Sequence, residues 1–356
     1  MDYLESIARV IERSRVFSGR RVFVTIIANP AAGGFTRKKN AAYNKAALAQ
    51  AVRDVEGRAV ACTIASFAIE YTKASGHARE IADKVLVAAL RADVNDLYLI
   101  ITAGGDGTSL EVQTSVARAI LEAGHSSLSD RVCVLRLPFG TGNDGSDGRL
   151  LDQTLLLLTG DSTLVKQSAV RAWGQGGEGF HYAFNIASVG LDAFVTHMTN
   201  RLKRLFPGNF YKIWLDIACL FYGKFFPVET MFVSAYDKSM SVVREEKEQF
   251  LICVMGASGR RTYGSNQKIL PDDRNVCAVR DLPLLKKLAL KSRVKTGEHI
   301  SFSEASLFEA HRIVIDYASP ILVQFDGEAH LLTETAFPYV MELTDPCITV
   351  IRARHS

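Results

Sequence analysis

Apolar runs alternate with amphipathic segments through the first part of the chain. The apolar runs are rich in β-branched residues and predict buried strands, and the segments between them carry apolar residues at helical spacing. The predicted strands are residues 21–28, 59–64, 96–103 and 132–137, and the predicted helices are residues 2–17, 40–55, 75–90 and 109–123. Because strand and helix follow each other in regular alternation, the pattern predicts a parallel α/β sheet.

The pattern changes after about residue 146, where a short apolar helix at 150–158 is followed by strand-like runs separated by turn residues. These runs are residues 168–173, 181–186, 230–236, 250–255, 276–278, 312–315, 321–325, 339–343 and 348–351, with helical insertions at about 193–226 and 282–290. Many short strands with turns between them are typical of an antiparallel sandwich or barrel. We therefore predict an α/β domain over residues 1–145 and a mainly antiparallel β-sandwich domain over residues 146–356, with the active site in the cleft between them.

Composition narrows the class of protein. The formal net charge is +4, from 42 basic and 38 acidic residues in a chain of 356. This balance is too mild for a dedicated nucleic-acid binder, and it is compatible with work at an anionic membrane surface. The six cysteines show no zinc-ligand spacing, and four lie in apolar runs, which indicates buried thiols in a reducing compartment.

No membrane-spanning or secretory segment is expected. The amino-terminal residues lack the apolar core of a signal peptide. Charges interrupt the most apolar stretch, residues 210–226, so it is not expected to cross a bilayer. We therefore expect a cytoplasmic protein whose membrane contact, if it has any, is peripheral.

A glycine-rich motif follows the predicted strand 96–103 and opens the next helix: Gly-Gly-Asp-Gly-Thr at residues 104–108. Glycines let backbone amides approach a ligand closely, and a helix amino terminus offers free N–H groups, so this motif predicts an anion cradle, most simply for phosphate. Asp106 inside such a cradle would repel phosphates unless it works through a metal ion or takes a proton. A plain glycine-rich turn with Asp106 capping the helix is the alternative.

Two further loops follow predicted strands. Pro-Phe-Gly-Thr-Gly-Asn-Asp occupies residues 138–144, and Asn-Pro-Ala-Ala-Gly-Gly occupies residues 29–34. In an open parallel sheet, ligands bind outside the carboxyl ends of the strands. The three loops are therefore expected to border one binding crevice.

A fourth motif lies near the carboxyl end of the chain, where Phe325-Asp326-Gly327-Glu328 follows a predicted strand. Two carboxylates flanking a glycine are candidates for proton transfer or metal contact. Taken alone, an ordinary Asp-Gly hairpin turn explains the same residues.

Taken in this order, the four motifs resemble the diacylglycerol kinase catalytic family, which includes bacterial lipid kinases; sphingosine and ceramide kinases resemble it as well. The resemblance covers about residues 22–350. Three further elements match it: Thr72 with His77 and Ala78, the segment at residues 184–193, and Gly208 with Tyr211. The glycine motif at 104–108 is shared with NAD kinases and resembles a phosphofructokinase loop, which implies an α/β domain of that type.

The resemblance implies ATP and Mg²⁺ as cosubstrates. The nucleotide contacts that it implies are Asn29, Gly33, Thr72, Gly104, Gly105, Gly107, Thr108, Glu111, Gly140, Thr141, Gly142 and Asn143. The catalytic carboxylates would be Asp326, Glu328 and Asp106, and the metal ligands Asp106 and Asp273. Asp326 assisted by Glu328 is the preferred general base and Asp106 the rival. A phosphate-contacting basic residue is expected at Lys203 or at its neighbours Arg201 and Arg204.

Several positions depart from the family pattern, among them the start of the second domain, where residues 166–169 lack the acidic residue that the family often has. Leu110 replaces an asparagine, Ser265 replaces a glycine of a Tyr-Gly-Gly-Gly segment, and Arg274 replaces a glycine after Asp273. These departures affect the residues that would support the metal ion more than the residues that would hold the nucleotide.

One glycine-rich segment has a different interpretation. Residues 174–179 formally match the dinucleotide-binding pattern G-x-G-x-x-G, but a strand-like run follows them where that motif requires a helix. We predict a hairpin loop there.

We therefore predict an ATP-dependent lipid kinase of phospholipid metabolism, which transfers the γ-phosphoryl group to the hydroxyl of diacylglycerol or a related lipid. The alternatives are a kinase of the NAD kinase type with a soluble substrate, and a regulator that binds nucleotide or lipid without turnover. The expected partner is a lipid substrate at the membrane surface, with no nucleic acid and with a homodimer as one oligomeric state open to the chain.

Overall fold

The computed structural model of the protein describes residues 2–140, 142–177, 179–205, 221–264 and 267–354, with the backbone alone at residues 2, 203–205, 284, 288 and 291. The chain divides into two compact units. The first unit comprises Met1–Gln167 together with Asp345–Ser356, and the second comprises Ser168–Thr344.

A mixed sheet forms the centre of the first unit. Its strands are β1 (Arg21–Ala28), β2 (Thr63–Tyr71), β3 (Asp96–Gly104), β4 (Val132–Pro138), β5 (Ser162–Gln167) and the last strand of the chain, β17 (Ile348–Ala353). Their order is β2-β1-β3-β4-β17-β5, and every pairing is parallel except that of β5 with β17. All residues of β3 and β4 are buried, as the near-continuous apolar runs of central parallel strands predict.

Helices cover this sheet in alternation with the strands. They are α1 (Ile7–Glu12), α2 (Gly33–Thr36), α3 (Lys38–Asp54), α4 (His77–Arg91), α5 (Asp106–Leu121), α6 (Leu128–Arg131) and α7 (Leu151–Thr159). Helix α1 buries Ile7, Val10 and Ile11 in the same apolar cluster as Leu48 of α3 and Leu99 of β3. The α/β alternation predicted from the hydrophobic pattern is confirmed.

Three predicted elements of this unit differ in the structure. The predicted strand 59–64 is wrong, because the strand that pairs with β1 is β2. This strand lies at the edge of the sheet and its side chains are exposed or half-buried, so its sequence has only a weak apolar pattern. The predicted helix 2–17 is divided into two 3-10 turns, Asp2–Ser6 and Arg15–Phe17, with α1 between them. The glycine motif opens α5 at Asp106, three residues before the predicted helix start.

The carboxyl-terminal strand lies in a different sheet from the one predicted. The run 348–351 was expected in the β domain, but as β17 it pairs with β4 and β5 of the first sheet. Helix α7 and strand β5 also belong to this unit, so residues 146–167, which the change of pattern assigns to the second domain, are part of the first. A local apolar pattern specifies a strand but not the strand beside which it pairs.

The second unit is built on antiparallel strands. They are β6 (Val170–Gly174), β7 (His181–Ala183), β8 (Ile186–Gly190), β9 (Thr230–Tyr236), β10 (Val242–Gly256), β11 (Val276–Arg280), β12 (Ala305–Phe308), β13 (Arg312–Asp316), β14 (Ile321–Phe325), β15 (Glu328–Leu332) and β16 (Tyr339–Leu343). The helices are α8 (Leu191–Leu205), α9 (Tyr222–Phe225) and α10 (Leu284–Thr296), with 3-10 turns at Glu298–Ser301 and Glu334–Ala336. The strand order is β15-β14-β8-β10-β9-β13-β16-β6-β7, with β11 and β12 attached to β10.

This second sheet curls, so that strands far apart in its order meet. The His181 ring of β7 stacks on Phe325 of β14 with centroids 5.0 Å apart, and it lies equally far from His330 of β15. Two expectations are confirmed: the antiparallel character of this half, and the hairpin loop between β6 and β7, where Glu178 lies outside the described residues. Within the described ranges, no helix combines the length and apolar character needed to cross a membrane.

Candidate active site

Three glycine loops meet at the carboxyl edge of the first sheet. Strands β1, β3 and β4 are parallel neighbours, so the loops that follow them share one edge. The Gly34 amide donates to the Phe139 carbonyl at 2.7 Å, which joins the first loop to the third. A Cβ built on Gly140 would lie 2.6 Å from the Gly105 Cα, which only glycine avoids. The expected convergence of the loops is found; Thr141 lies outside the described residues.

The second loop opens α5 without a side-chain cap. Gly105, the N-cap residue, makes no side-chain cap hydrogen bond to the first amides of the helix. The amides of Asp106, Gly107 and Thr108 have no carbonyl acceptor within the helix, and they lie at the positive end of the helix dipole. Gly104 permits this tight start, because a Cβ there would be 2.5 Å from the Thr108 Oγ1. The arrangement fits an anionic group such as a phosphate.

Asn143 contributes an unsatisfied polar atom to the third loop. It adopts a φ of 60°, in the left-handed region, and its Nδ2 donates to the Pro138 carbonyl at 3.2 Å. Its Oδ1 is buried and accepts no hydrogen bond within the described chain. A buried acceptor without a donor is costly, so a hydroxyl or amino group of a ligand would stabilise this loop. Uncapped amides and an unpaired acceptor beside them fit a phosphate-bearing nucleotide.

Asp106 is the carboxylate that lies among these loops. Its Oδ1 accepts the Gly145 amide at 3.0 Å, and a Cβ on Gly142 would lie 2.9 Å from its Oδ2. Burial raises the pKa of Asp106, although hydrogen bonds from the Gly145 and Asn143 backbone and attraction to Arg136 partly offset this effect.

Asp147, which the sequence analysis missed, connects the third loop to the sheet. Its side chain is fully buried, and its Oδ1 lies 2.6 Å from the Arg136 Nη2 and 2.6 Å from the Arg352 Nη1. Its Oδ2 accepts the Arg136 amide at 2.7 Å. Burial raises the pKa of Asp147, but attraction to the two guanidinium groups outweighs it and holds the pKa below its usual range. No spacing rule links residues 136, 147 and 352, so only the fold brings them together.

Glu111, a predicted nucleotide contact, accepts hydrogen bonds from the segment that begins α4. Its Oε1 accepts the Gly76 amide at 2.8 Å and the Ser75 hydroxyl at 3.4 Å, and its Oε2 accepts the Ala78 and Arg79 amides at 3.1 and 3.4 Å. These amides belong to the first turn of α4, where a negative charge is favourable. The placement favours a capping role, which positions the segment after β2.

We expect Glu111→Ala to lower the free energy of unfolding by about 0.5–2 kcal/mol, because partly buried amides at the start of α4 lose the carboxylate that caps them. Denaturant unfolding measures the change. Glu56→Ala, at an exposed site of the same unit, is the control and should leave stability within about 0.5 kcal/mol. Unchanged stability with weakened nucleotide binding would instead support the predicted contact.

The remaining predicted contacts of the first unit lie at the same edge of the sheet. Asn29 follows β1, and its Oδ1 accepts the Ala31 amide at 3.0 Å to shape the first loop. Thr72 follows β2, and its amide donates to the Ala28 carbonyl at 2.9 Å. Gly33 begins α2. The fold therefore brings the loops and the segment at Thr72 together, as the sequence predicts.

In the second unit, Asp326 forms the turn between β14 and β15. Asp326 and Gly327 have φ of 47° and 94°, as a two-residue hairpin turn requires. The Asp326 carboxylate accepts three successive amides: Phe184 at 2.6 Å, Asn185 at 3.0 Å and Ile186 at 2.9 Å. Since a carboxylate offers about four acceptor positions, most of them are used to anchor the chain between β7 and β8.

A buried polar network supports this turn. The Gln324 Oε1 accepts the Gly327 amide at 2.9 Å, and its Nε2 donates to the Ser188 Oγ at 3.0 Å and to the Asp192 Oδ2 at 3.1 Å. Ser188 also donates to Asp192. Burial raises the pKa of Asp192, and hydrogen bonds from Ser188, Tyr263 and Gln324 offset part of this effect. The network links the start of α8 to the Asp326 turn.

Three predicted residues have less defined roles. Glu328 begins β15 with an exposed side chain. Asp273, a predicted metal ligand, lies in an exposed bidentate ion pair with Arg260, at 2.6 and 3.1 Å. The side chains of Lys203 and Arg204 lie outside the described residues, as do Ser265, Gly208 and Tyr211. Within the described part of the chain, no three His, Cys, Asp or Glu side chains form a metal-binding group.

Comparison with known proteins gives a match within the first unit. Residues 23–151, which contain the three glycine loops, match the family model of the diacylglycerol kinase catalytic domain, so the resemblance of this part of the chain to that family is confirmed.

Individual relatives agree with this match. The chain is 25% identical to the diacylglycerol kinase of Bacillus subtilis strain 168 over 271 residues, which cover 71% of this chain and 78% of that one. Two solved structures from Bacillus anthracis strain Sterne share the fold. One, of a protein assigned provisionally as a diacylglycerol kinase, has a TM-score of 0.59 at 19% identity and covers 93% of this chain and 94% of its own. The other, of a diacylglycerol kinase, has a TM-score of 0.52 at 16% identity and covers 93% and 96%.

Proposed function

We propose that the protein is an ATP-dependent lipid kinase that transfers the γ-phosphoryl group of ATP to a hydroxyl of diacylglycerol or a related lipid. The observation that supports it is the convergence of three glycine loops and the uncapped start of α5 at one edge of the first sheet. The match of residues 23–151 to the diacylglycerol kinase catalytic domain supports the lipid acceptor.

The chain's own groups suit phosphoryl transfer. This reaction needs little covalent participation from the protein, and it depends on alignment and on stabilisation of the phosphate charge. The amides at the start of α5 and in the glycine loops would hold the phosphates, and the Asn143 Oδ1 would accept a hydrogen bond from the nucleotide. Mg²⁺ would enter with the nucleotide and neutralise phosphate charge. Among the described residues, no three His, Cys, Asp or Glu side chains come together to hold this ion.

We infer that Asp106 accepts the proton of the lipid hydroxyl that is phosphorylated. It lies among the loops that would hold the phosphates, and one of its oxygens bonds Gly145. Asp326 gives three of its acceptor positions to backbone amides, which favours an anchoring role. The sequence-based preference for Asp326 assisted by Glu328 stays the alternative.

Transfer of radiolabelled phosphate from ATP tests the proposal. The acceptors are mixed micelles of diacylglycerol, monoacylglycerol, ceramide, sphingosine and phosphatidylglycerol, and we expect label in an extractable lipid. Label in NAD instead would indicate the soluble-substrate kinase. Bound ATP with no label in any acceptor would indicate the regulator without turnover.

We expect Gly140→Ala to weaken transfer by roughly a hundredfold, because the new Cβ would lie 2.6 Å from the Gly105 Cα and displace both loops. Gly223→Ala is the matched control, since its added Cβ meets no heavy atom of the described residues within 4 Å. Equal activity of the two variants would contradict the placement of the nucleotide phosphates at these loops.

A further inference from the structure

A cavity lies at the edge of the first sheet where its parallel strands begin, opposite the edge that carries the glycine loops. It has a volume of about 320 Å³ and is lined in part by Arg20, Arg131, Lys166 and Thr349. Arg20 precedes β1 and Arg131 precedes β4, so both lie where these parallel strands begin. The glycine loops lie where the strands end. A strand as long as β4 spans roughly 20 Å, which separates the cavity from the candidate active site.

Arg131 is a buried cation without an ion-pair partner among the described residues. Its side chain is only 7% exposed, and its Nη2 donates to the carbonyls of Ala92 and Asp93 at 3.2 and 2.7 Å. Its Nε is buried and donates to no acceptor in that part of the chain. The nearby Asp93 carboxylate instead accepts hydrogen bonds from Asn95 at 2.8 and 3.0 Å.

A buried guanidinium with spare donors is costly unless an anion compensates it. Two further cations, Lys166 and Arg20, line the cavity. Lys166 bonds the Asp130 Oδ1 at 2.7 Å and the Ser129 Oγ at 3.0 Å, and Arg20 extends into solvent beside them. The cavity wall thus carries three cations and a single carboxylate, Asp130. Guanidinium and ammonium groups together favour phosphate oxygens, the guanidinium through paired hydrogen bonds and the ammonium as a compact charge.

We propose that this cavity binds a phosphate monoanion or dianion, either free inorganic phosphate or the phosphomonoester head group of a lipid. The volume is at the lower end of the range for ligand pockets, which suits one phosphate group better than a nucleotide. The site does not depend on the proposed kinase activity, because it lies at the other edge of the sheet from the glycine loops.

Calorimetric titration of the full chain with inorganic phosphate tests the free ion, in the presence of saturating ATP so that phosphate is excluded from the glycine loops. Cosedimentation with phosphatidylcholine vesicles, with and without phosphatidic acid, tests the lipid head group. We expect Lys166→Gln to weaken binding at least about fivefold and Arg131→Gln at least about tenfold. Lys84→Gln, which removes one exposed lysine charge from the same unit, should change binding less than about twofold.

Phosphate binding alone would identify the free ion as the ligand, and enrichment on phosphatidic acid vesicles would identify the lipid head group. Either result, if it depends on Lys166, supports the site. The proposal is overturned if neither probe binds, or if Lys166→Gln and Lys84→Gln weaken binding equally. Thermal unfolding of Arg131→Gln accompanies the titration, and Lys166→Gln decides the outcome if Arg131→Gln does not fold.

Discussion

Asp106→Asn should lower the turnover number of phosphoryl transfer by roughly 10²–10⁴ without lowering the melting temperature. The asparagine Oδ1 can still accept the Gly145 amide, so the loop keeps its hydrogen bond. What is lost is the carboxylate that would accept the hydroxyl proton. Because burial disfavours the charge of Asp106, its removal should leave stability unchanged or slightly higher.

The comparison with Asp326→Asn separates the two candidate bases. An amide side chain has one acceptor oxygen, so it cannot accept all three amides of residues 184–186, and we expect a clear fall in melting temperature. Single-turnover rates with ATP and the lipid acceptor, measured beside melting curves, make the distinction. Asp83→Asn, on the exposed face of α4, controls for removal of a charge. Full turnover of Asp106→Asn, with an inactive but equally stable Asp326→Asn, would show that Asp326 is the base.

Asp147→Ala should lower the free energy of unfolding by about 3–5 kcal/mol, the largest stability effect we expect in the first unit. The substitution removes the carboxylate that pairs with the buried Arg136 and with Arg352 of β17. Denaturant unfolding at neutral pH measures the loss. Asp161→Ala, whose ion pair with Arg354 is exposed, is the control and should cost less than about 1 kcal/mol.

The stability that Asp147 contributes through Arg136 and Arg352 should depend on pH. The pKa of Asp147 is lowered in the folded chain, so its contribution is fully present above the unfolded value of about 3.9 and is lost as the pH falls through the lower folded value. The stability difference between the wild type and Asp147→Ala should therefore shrink in acid. A difference that stays constant down to pH 2 would contradict the role of the charge.

Much of the candidate site could be predicted from local sequence. Residues 104–108 and 138–144 each follow an apolar run, and glycine at these positions has a local meaning: no Cβ, close approach and a free helix start. The alternation of strands and helices then places both loops at one edge of a parallel sheet. The Asp-Gly turn at 326–327 could be recognised in the same way, since both residues take a positive φ.

The roles of individual carboxylates could not be predicted in this way. Glu111 lies seven residues after Gly104 in a motif context, yet its oxygens bond amides of α4, more than thirty positions earlier in the chain. Asp326 looks like a free acid in the sequence, yet it binds the chain between β7 and β8, 140 to 142 positions away. Asp273 looks like a metal ligand and pairs with Arg260.

Local sequence predicts the two kinds of sheet, the glycine loops and the chemistry that they suggest, because periodicity and glycine geometry act over a few residues. The pairing of the strands, the place of β17 in the first sheet and the hydrogen bonds of each carboxylate depend on the tertiary structure. So does the burial of Arg131, which has no ion-pair partner among the described residues and lies beside a cationic cavity. Burial and hydrogen bonding depend on groups distant in the chain, and no local pattern encodes which of them will meet.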